Sequence, residues 1–90
     1  MHQIRVLISG NVTGVSFRAF LKERARELNL KGWVKNNPDR KLEAVFQGYK
    51  FNLEKIIIYC HQGSPSSFIK EVRISEEPIL EKFSSFSILK

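Results

Sequence analysis

The chain of 90 residues contains a single cysteine, Cys60, so no internal disulfide can form and a secreted disulfide scaffold is excluded. That cysteine and two histidines, His2 and His61, cannot fill a four-ligand zinc site. Five glycines and three prolines are too few for a collagen-like or low-complexity chain. No apolar run approaches the ~20 residues of a membrane helix. The longest is Ile56-Ile57-Ile58-Tyr59-Cys60. The opening MHQIRVLISG is too short and too mixed for a signal peptide, so a cytoplasmic location is expected. There is also no internal repeat, linker or block of like charge.

What is present describes an ordinary folded protein. Hydrophobic residues make up 42% of the chain and charged residues 27%, a balance that excludes intrinsic disorder. One domain over residues 1–90 is expected, since a chain of this size buries roughly 60–68% of its unfolded surface in one core. Fifteen Lys and Arg against nine Asp and Glu give a net charge of +6. A basic surface attracts anions: nucleic acid, anionic lipid or small phosphorylated metabolites. The basic residues are scattered, so composition leaves these partners open.

Periodicity divides the chain into elements. His2 to Ser9 alternates and is rich in β-branched residues, which predicts a strand, central because Leu7 makes both faces partly apolar. Gly10 to Val15 is a loop. From Ser16 the period becomes helical, with Phe17, Phe20, Leu21, Ala25 and Leu28 on one stripe. Ser16 is the expected cap, and Asn29 stands where a left-handed terminator is tolerated. Gly32 to Asn36 and Lys41 to Gln47 are strands across the turn Asn37-Pro38-Asp39-Arg40. Phe51 to Gln62 fits either a helix or a buried strand; its length favours a helix, which Gly63 and Pro65 would stop. Phe68 to Ser75 and Phe83 to Leu89 are further strands. The order is β-α-β-β-α-β plus a short C-terminal edge strand. It predicts an α+β, ferredoxin-like sandwich: an antiparallel sheet with two helices on one face.

Chemistry is concentrated in Gly10-Asn11-Val12-Thr13-Gly14-Val15-Ser16-Phe17-Arg18. A glycine-bearing loop entering a helix N-terminus suits an anion: the backbone approaches closely, free N–H groups point at the ligand, and the helix dipole adds positive charge. Arg18, in the first helical turn, can hold two phosphate oxygens at once. Neither the Walker A nor the Rossmann spacing is present. A plain βα turn with a surface arginine explains the loop equally well. Asn36 ends a strand that a split βαβ sheet could bring near the loop, where a neutral amide can orient a water. Taken alone it reads better as a turn asparagine.

Other features carry less. Asn11-Val12-Thr13 is a formal glycosylation sequon without meaning in a cytoplasmic chain. Cys60 lies on the apolar stripe of its helix, so a buried, inert thiol is expected rather than a nucleophile paired with His61. Phe17, Phe20, Trp33 and Phe46 could stack on bases, but core packing accounts for them better. Glu43, Glu54, Glu71, Glu76 and Glu77 show no spacing that argues for paired-carboxylate catalysis.

Taken together, Gly10-x-Val12-x-Gly14-Val15-x-Phe17-Arg18 and Gly32-Trp33-Val34-x-Asn36 resemble the two signatures of the acylphosphatase family. The likeness continues through Asp39, Leu42-Glu43-Ala44-Val45, Gly48, Gly63-x-Pro65, Ile69 and Val72, nearly the whole chain. It implies hydrolysis of the carboxyl–phosphate anhydride of small acyl phosphates, with no metal or cofactor. By the same resemblance Arg18 binds the phosphoryl group, Asn36 orients the attacking water, and the backbone amides from Asn11 through Val12, Thr13, Gly14, Val15, Ser16 and Phe17 to Arg18 complete the cradle. It further implies a small anionic substrate, no nucleic acid or membrane partner, and a monomer. The chain departs from the pattern at Asn11, usually Arg, at Thr13, usually Gln, and at Arg40, usually Gly. A bulky Arg40 is expected to disfavour a turn that wants positive φ. The alternatives are a small basic nucleic-acid-binding module and a domain like that at the front of carbamoyl-transferring maturation proteins. The absence of a downstream domain favours a stand-alone enzyme.

Overall fold

A computed structural model describes residues 1–89 of the chain. Along these residues run β1 (His2–Asn11), α1 (Val15–Glu27), β2 (Lys31–Asn36), β3 (Leu42–Gly48), α2 (Lys50–Gln62), β4 (Phe68–Glu77) and β5 (Phe86–Ile88). The sheet order is β4-β1-β3-β2-β5. Alternation places Ile4, Val6 and Ile8 of β1, Val34 of β2, and Leu42, Ala44 and Phe46 of β3 on one face. Phe17, Leu21 and Ala25 of α1 and Leu53, Ile56 and Cys60 of α2 pack with them in one core. Each large side chain buried there contributes roughly 1.5–3 kcal/mol. Residues 51–62, ambiguous in sequence, are helical because Leu53, Ile56 and Cys60 form the buried stripe that a sheet-covering helix needs.

Three local expectations change. The sheet is mixed rather than antiparallel throughout, because β5 pairs parallel with β2. Strand β4 lies on one edge, and residues 78–85 cross to the other edge before β5 turns back, which leaves β5 running with β2. The last strand covers 86–88 rather than 83–89. Its first residues are held by a side chain instead: the Phe83 amide donates to Gln47 Oε1 at 3.1 Å, and Gln47 Nε2 donates to the Glu81 carbonyl at 2.6 Å. Finally, Ser16 is not the helix cap. Gly14 occupies that position, and no side chain caps α1.

The segments bordering the loop have distinct backbone demands. Strand β1 runs two residues further than expected and contains a register shift at Ser9/Gly10 against β4. Gly10 has φ 135°, and a Cβ there would strike the Phe68 carbonyl oxygen. Only glycine can make this bulge, after which β1 still pairs with β4 through Gly10–Ile69 and Asn11–Phe68 before the loop begins. In the β2–β3 hairpin, Arg40 adopts φ 68° despite its side chain. The turn closes by Arg40 N–H donating to the Asn37 carbonyl at 3.0 Å and Asn37 N–H donating to the Lys41 carbonyl at 2.8 Å. Asn29 takes φ 56° as the left-handed residue after α1, as its position in the sequence suggested.

Candidate active site

The loop after β1 is anchored at both ends by apolar burial. Val12 and Phe17 are both almost inaccessible and belong to the core. Between them Thr13, Gly14, Val15 and Ser16 are exposed, as is Asn11 before them. The exposed stretch is thereby held at both ends against the body of the protein. It leads into α1, whose first turn has neither a capping side chain nor an acidic residue. The first N–H groups of a helix have no intrahelical acceptor. An uncapped N-terminus without a carboxylate therefore favours an anion through both donors and dipole.

Arg18 rises from this first turn, half-buried. Arg5, Arg24 and Arg73 each hold a carboxylate. Among the described residues Arg18 holds none, and its enclosed Nε has no hydrogen-bond partner. An unneutralised guanidinium beside an uncapped helix start is suited to an anionic group.

Asn36 comes to the loop from β2. It shares the helix-facing parity of Gly32 and Val34 and occupies the last strand position, so its side chain emerges where the core meets the loop. Its Nδ2 donates to the Thr13 carbonyl at 2.7 Å. That carbonyl can only accept, so the amide's orientation is fixed by chemistry. Asn36 Oδ1 is enclosed and without a partner among the described residues. Two candidates far apart in sequence are thus assembled on one loop: Asn36 touches Thr13, and Arg18 stands in the helical turn that follows.

The remaining candidates fall elsewhere. Cys60 is fully buried, and burial pushes its thiol pKa up to about 12, which makes it inert. Phe17 and Phe46 lie in the core, and Phe46 stacks on Phe86 with centroids 5.2 Å apart. Trp33 faces the open side of the sheet, where Arg5 and Lys35 lie over its ring at 5.6 and 5.3 Å. The sequence did not reveal that Glu43 and Glu77 both converge on Arg5. The Arg5 hydrogen bond holds the Glu77 carboxyl below its ordinary pKa. A groove of about 330 Å³ opens beside Arg5, Trp33, Glu77 and Phe83. It lies on the sheet face away from the helices, and its arginine is already neutralised, so it offers an anion less than the loop does. Also missed were the Gly10 bulge and a 3.4 Å contact between the hydroxyls of Ser16 and Ser66. The glycine was legible, but its bulge depends on β4, 58 residues further on (68 against 10).

The fold and site together define a class: a ferredoxin-like α+β protein with an uncapped helix start and, among the described residues, an arginine without a carboxylate partner at a βα junction, and a carboxamide fixed against the loop between them. The acylphosphatase family profile matches residues 4–88. The chain is 43% identical to an acylphosphatase of Syntrophobacter fumaroxidans over 92% of this chain and 86% of that protein. It is 42% identical to one from Chloroflexus aurantiacus over 93% and 91%. The crystal structure of acylphosphatase from Bacillus subtilis superposes with a TM-score of 0.95 at 34% identity, covering 100% of both chains. Full-length HypF, solved in a phosphate- and nucleotide-bound form, matches with a TM-score of 0.90 over 99% of this chain but only 12% of its own. The chain belongs to the acylphosphatase family. It is a hydrolase of acid anhydrides, and its substrates are acyl phosphates.

Proposed function

We propose that catalysis rests on two side chains: Arg18, together with the backbone amides of residues 11–18, holds the phosphoryl group, and Asn36 orients the water that attacks phosphorus. The single observation that carries this reading is the state of Asn36. One end of its amide is tied to the Thr13 carbonyl, and the other is an unpartnered acceptor. An amide held in this way can accept one proton of a water and set the direction of its lone pair. The water oxygen forms the new bond to phosphorus while the bond to the acyl oxygen breaks. The carboxylate leaves as an anion, and both water protons remain on the phosphate.

No strong base is required, because a carboxylate with a pKa near 4–5 is already a good leaving group. Charge on the equatorial phosphoryl oxygens is what needs stabilising, and an arginine with backbone amides does this without a metal. Work as a cytoplasmic monomer belongs to the same proposal. The nucleic-acid reading is weaker, because Phe17 and Phe46 are buried and Trp33 is overlain by two cations. The test is phosphate release from acetyl phosphate with a chelator present. The parent releases phosphate and Arg18→Ala does not; full activity in Arg18→Ala would refute the role given to the guanidinium.

A further inference from the structure

Asn36 can aim a water only as well as its own backbone is held, and the open face of the sheet contributes to that hold. Strand alternation turns Asn36 toward the helices and its neighbours Lys35 and Asn37 the other way. On that other side stands Glu43 of β3, opposite Lys35 in the strand register. Its Oε1 accepts from Asn37 Nδ2 at 3.0 Å. Glu43 therefore meets β2 on both sides of Asn36, by register at Lys35 and by a hydrogen bond at Asn37. A carboxylate can only accept, which fixes the orientation of the Asn37 amide. The main chain of Asn37 is pinned as well: its N–H donates to the Lys41 carbonyl at 2.8 Å, and its carbonyl accepts from the Arg40 N–H at 3.0 Å. The Asn37 N–H and the Asn36 Cα lie in one rigid peptide plane, so fixing the first orients the second.

Glu43 is itself aimed. Its other oxygen, Oε2, accepts from Arg5 Nη1. Arg5 is held in turn by Glu77, which accepts from Nε at 3.1 Å and from Nη2 at 3.2 Å, and which also takes the Gln3 Nε2 at 2.6 Å. Hydrogen bonds thus run from β4 through β1 and β3 to the end of β2, four neighbouring strands, and stop at the residue beside Asn36. The Glu43 side chain is only 17% exposed, so water competes little for its two bonds. From this chain of contacts we infer that Glu43 is a positioning residue for the reaction: acting through Asn37, it sets the backbone from which Asn36 orients the water. The inference rests on the role given to Asn36 above. The phosphoryl cradle is held separately, by the burial of Val12 and Phe17, so loss of Glu43 lowers turnover and spares phosphate binding.

The experiment is steady-state kinetics on acetyl phosphate, with inorganic phosphate as competitive inhibitor, for the parent, Glu43→Ala, Glu43→Gln, Asn36→Ala and the double variant Asn36→Ala/Glu43→Ala. Urea unfolding of each variant fixes conditions in which all are folded. Glu43→Ala should lower kcat by about 10-fold or more, as a small misplacement of a reacting group does, and leave the phosphate inhibition constant within about twofold of the parent. Glu43→Gln should recover most of the loss, because its amide oxygen can still meet Arg5 while Asn37 turns its own amide to accept from the new Nε2. In the Asn36→Ala background, Glu43→Ala should lower kcat by less than about twofold further, since the group it positions is gone. If Glu43→Ala does not fold, Asn37→Ala severs the same link and is read by the same outcomes. Parent-like kcat in the folded variant, a matching loss of phosphate affinity, no recovery in Glu43→Gln, or reductions that multiply in the double variant would each overturn the positioning role and leave the role of Asn36 standing. Parent-like turnover in Asn36→Ala would overturn that role and this inference with it.

Discussion

Replacing Arg40 by glycine should stabilise the protein while leaving its chemistry alone. Arg40 sits at φ 68° in the hairpin between β2 and β3, a region where a Cβ crowds the following carbonyl. The left-handed conformation costs a non-glycine residue roughly 1–2 kcal/mol. Glycine removes that cost but adds freedom to the unfolded chain, worth roughly 0.4–1 kcal/mol in the opposite sense. The arginine side chain is exposed and forms no ion pair or side-chain hydrogen bond among the described residues, so little else is lost. The balance is a gain of about 0.5–1 kcal/mol, equivalent to a rise in Tm of roughly 2–8 °C for a domain of this size. Urea unfolding monitored by circular dichroism reads it as a higher midpoint with an unchanged slope. Arg40→Ala serves as the control, since it removes the guanidinium but keeps the Cβ, and should move the midpoint little. A midpoint lower for Arg40→Gly than for the parent, or equal gains in both variants, would refute the strain argument. Acetyl phosphate turnover should be unaffected in either variant.

Gly10→Ala should be costly, because its Cβ meets the backbone of β4 at a positive φ and no side chain can move aside. A loss of about 2–4 kcal/mol is expected from strain and a broken bulge, read by chemical denaturation, and a loss under 0.5 kcal/mol would contradict the bulge assignment. Glu77 predicts a pH dependence. Its carboxyl pKa is lowered in the folded protein, chiefly by the Arg5 hydrogen bond, so its contribution is complete above the ordinary value of 4.5 and fades as pH falls through the lowered one. With side chains 24% and 35% exposed for Glu77 and Arg5, solvent screening limits the effect to about 1 kcal/mol. Glu77→Gln should lower stability at pH 7 by about that amount and flatten the decline below pH 4.5, as followed by thermal melts across pH. An unchanged acid limb would show that the pair contributes nothing.

Local features were readable from the sequence and distant ones were not. The stripe Phe17, Leu21, Ala25 declares α1 because residues three and four apart share a face, and each is buried as that rule requires. An anion-binding role for the loop could be suggested from sequence, since glycines, a helix start and Arg18 lie within nine residues of one another, but a plain βα turn explained those residues as well. The expected split βαβ topology allowed Asn36 near that loop and the family resemblance gave it a role there; taken alone it read better as a turn residue. Its contact with Thr13 depends on the parity of β2 and on where α1 packs, and both are tertiary. The parallel edge strand was missed for the same reason. Nothing in Phe86-Ser87-Ile88 states which edge it will join; the Gln47 side chain decides where the preceding segment is pinned. Arg40 shows the converse, where local preference yields to the hairpin: the residue takes a conformation its own sequence disfavours because the turn hydrogen bonds require it.

The most direct test of the catalytic account is steady-state kinetics of Asn36→Ala on acetyl phosphate, with inorganic phosphate as a competitive inhibitor. Loss of the oriented water should lower kcat by about 10²- to 10³-fold or more, while the phosphate inhibition constant, set by Arg18 and the loop amides, stays within about threefold of the parent. Parent-like turnover in Asn36→Ala, or a collapse of phosphate affinity that matches the fall in kcat, would contradict the division of labour between the carboxamide and the cradle.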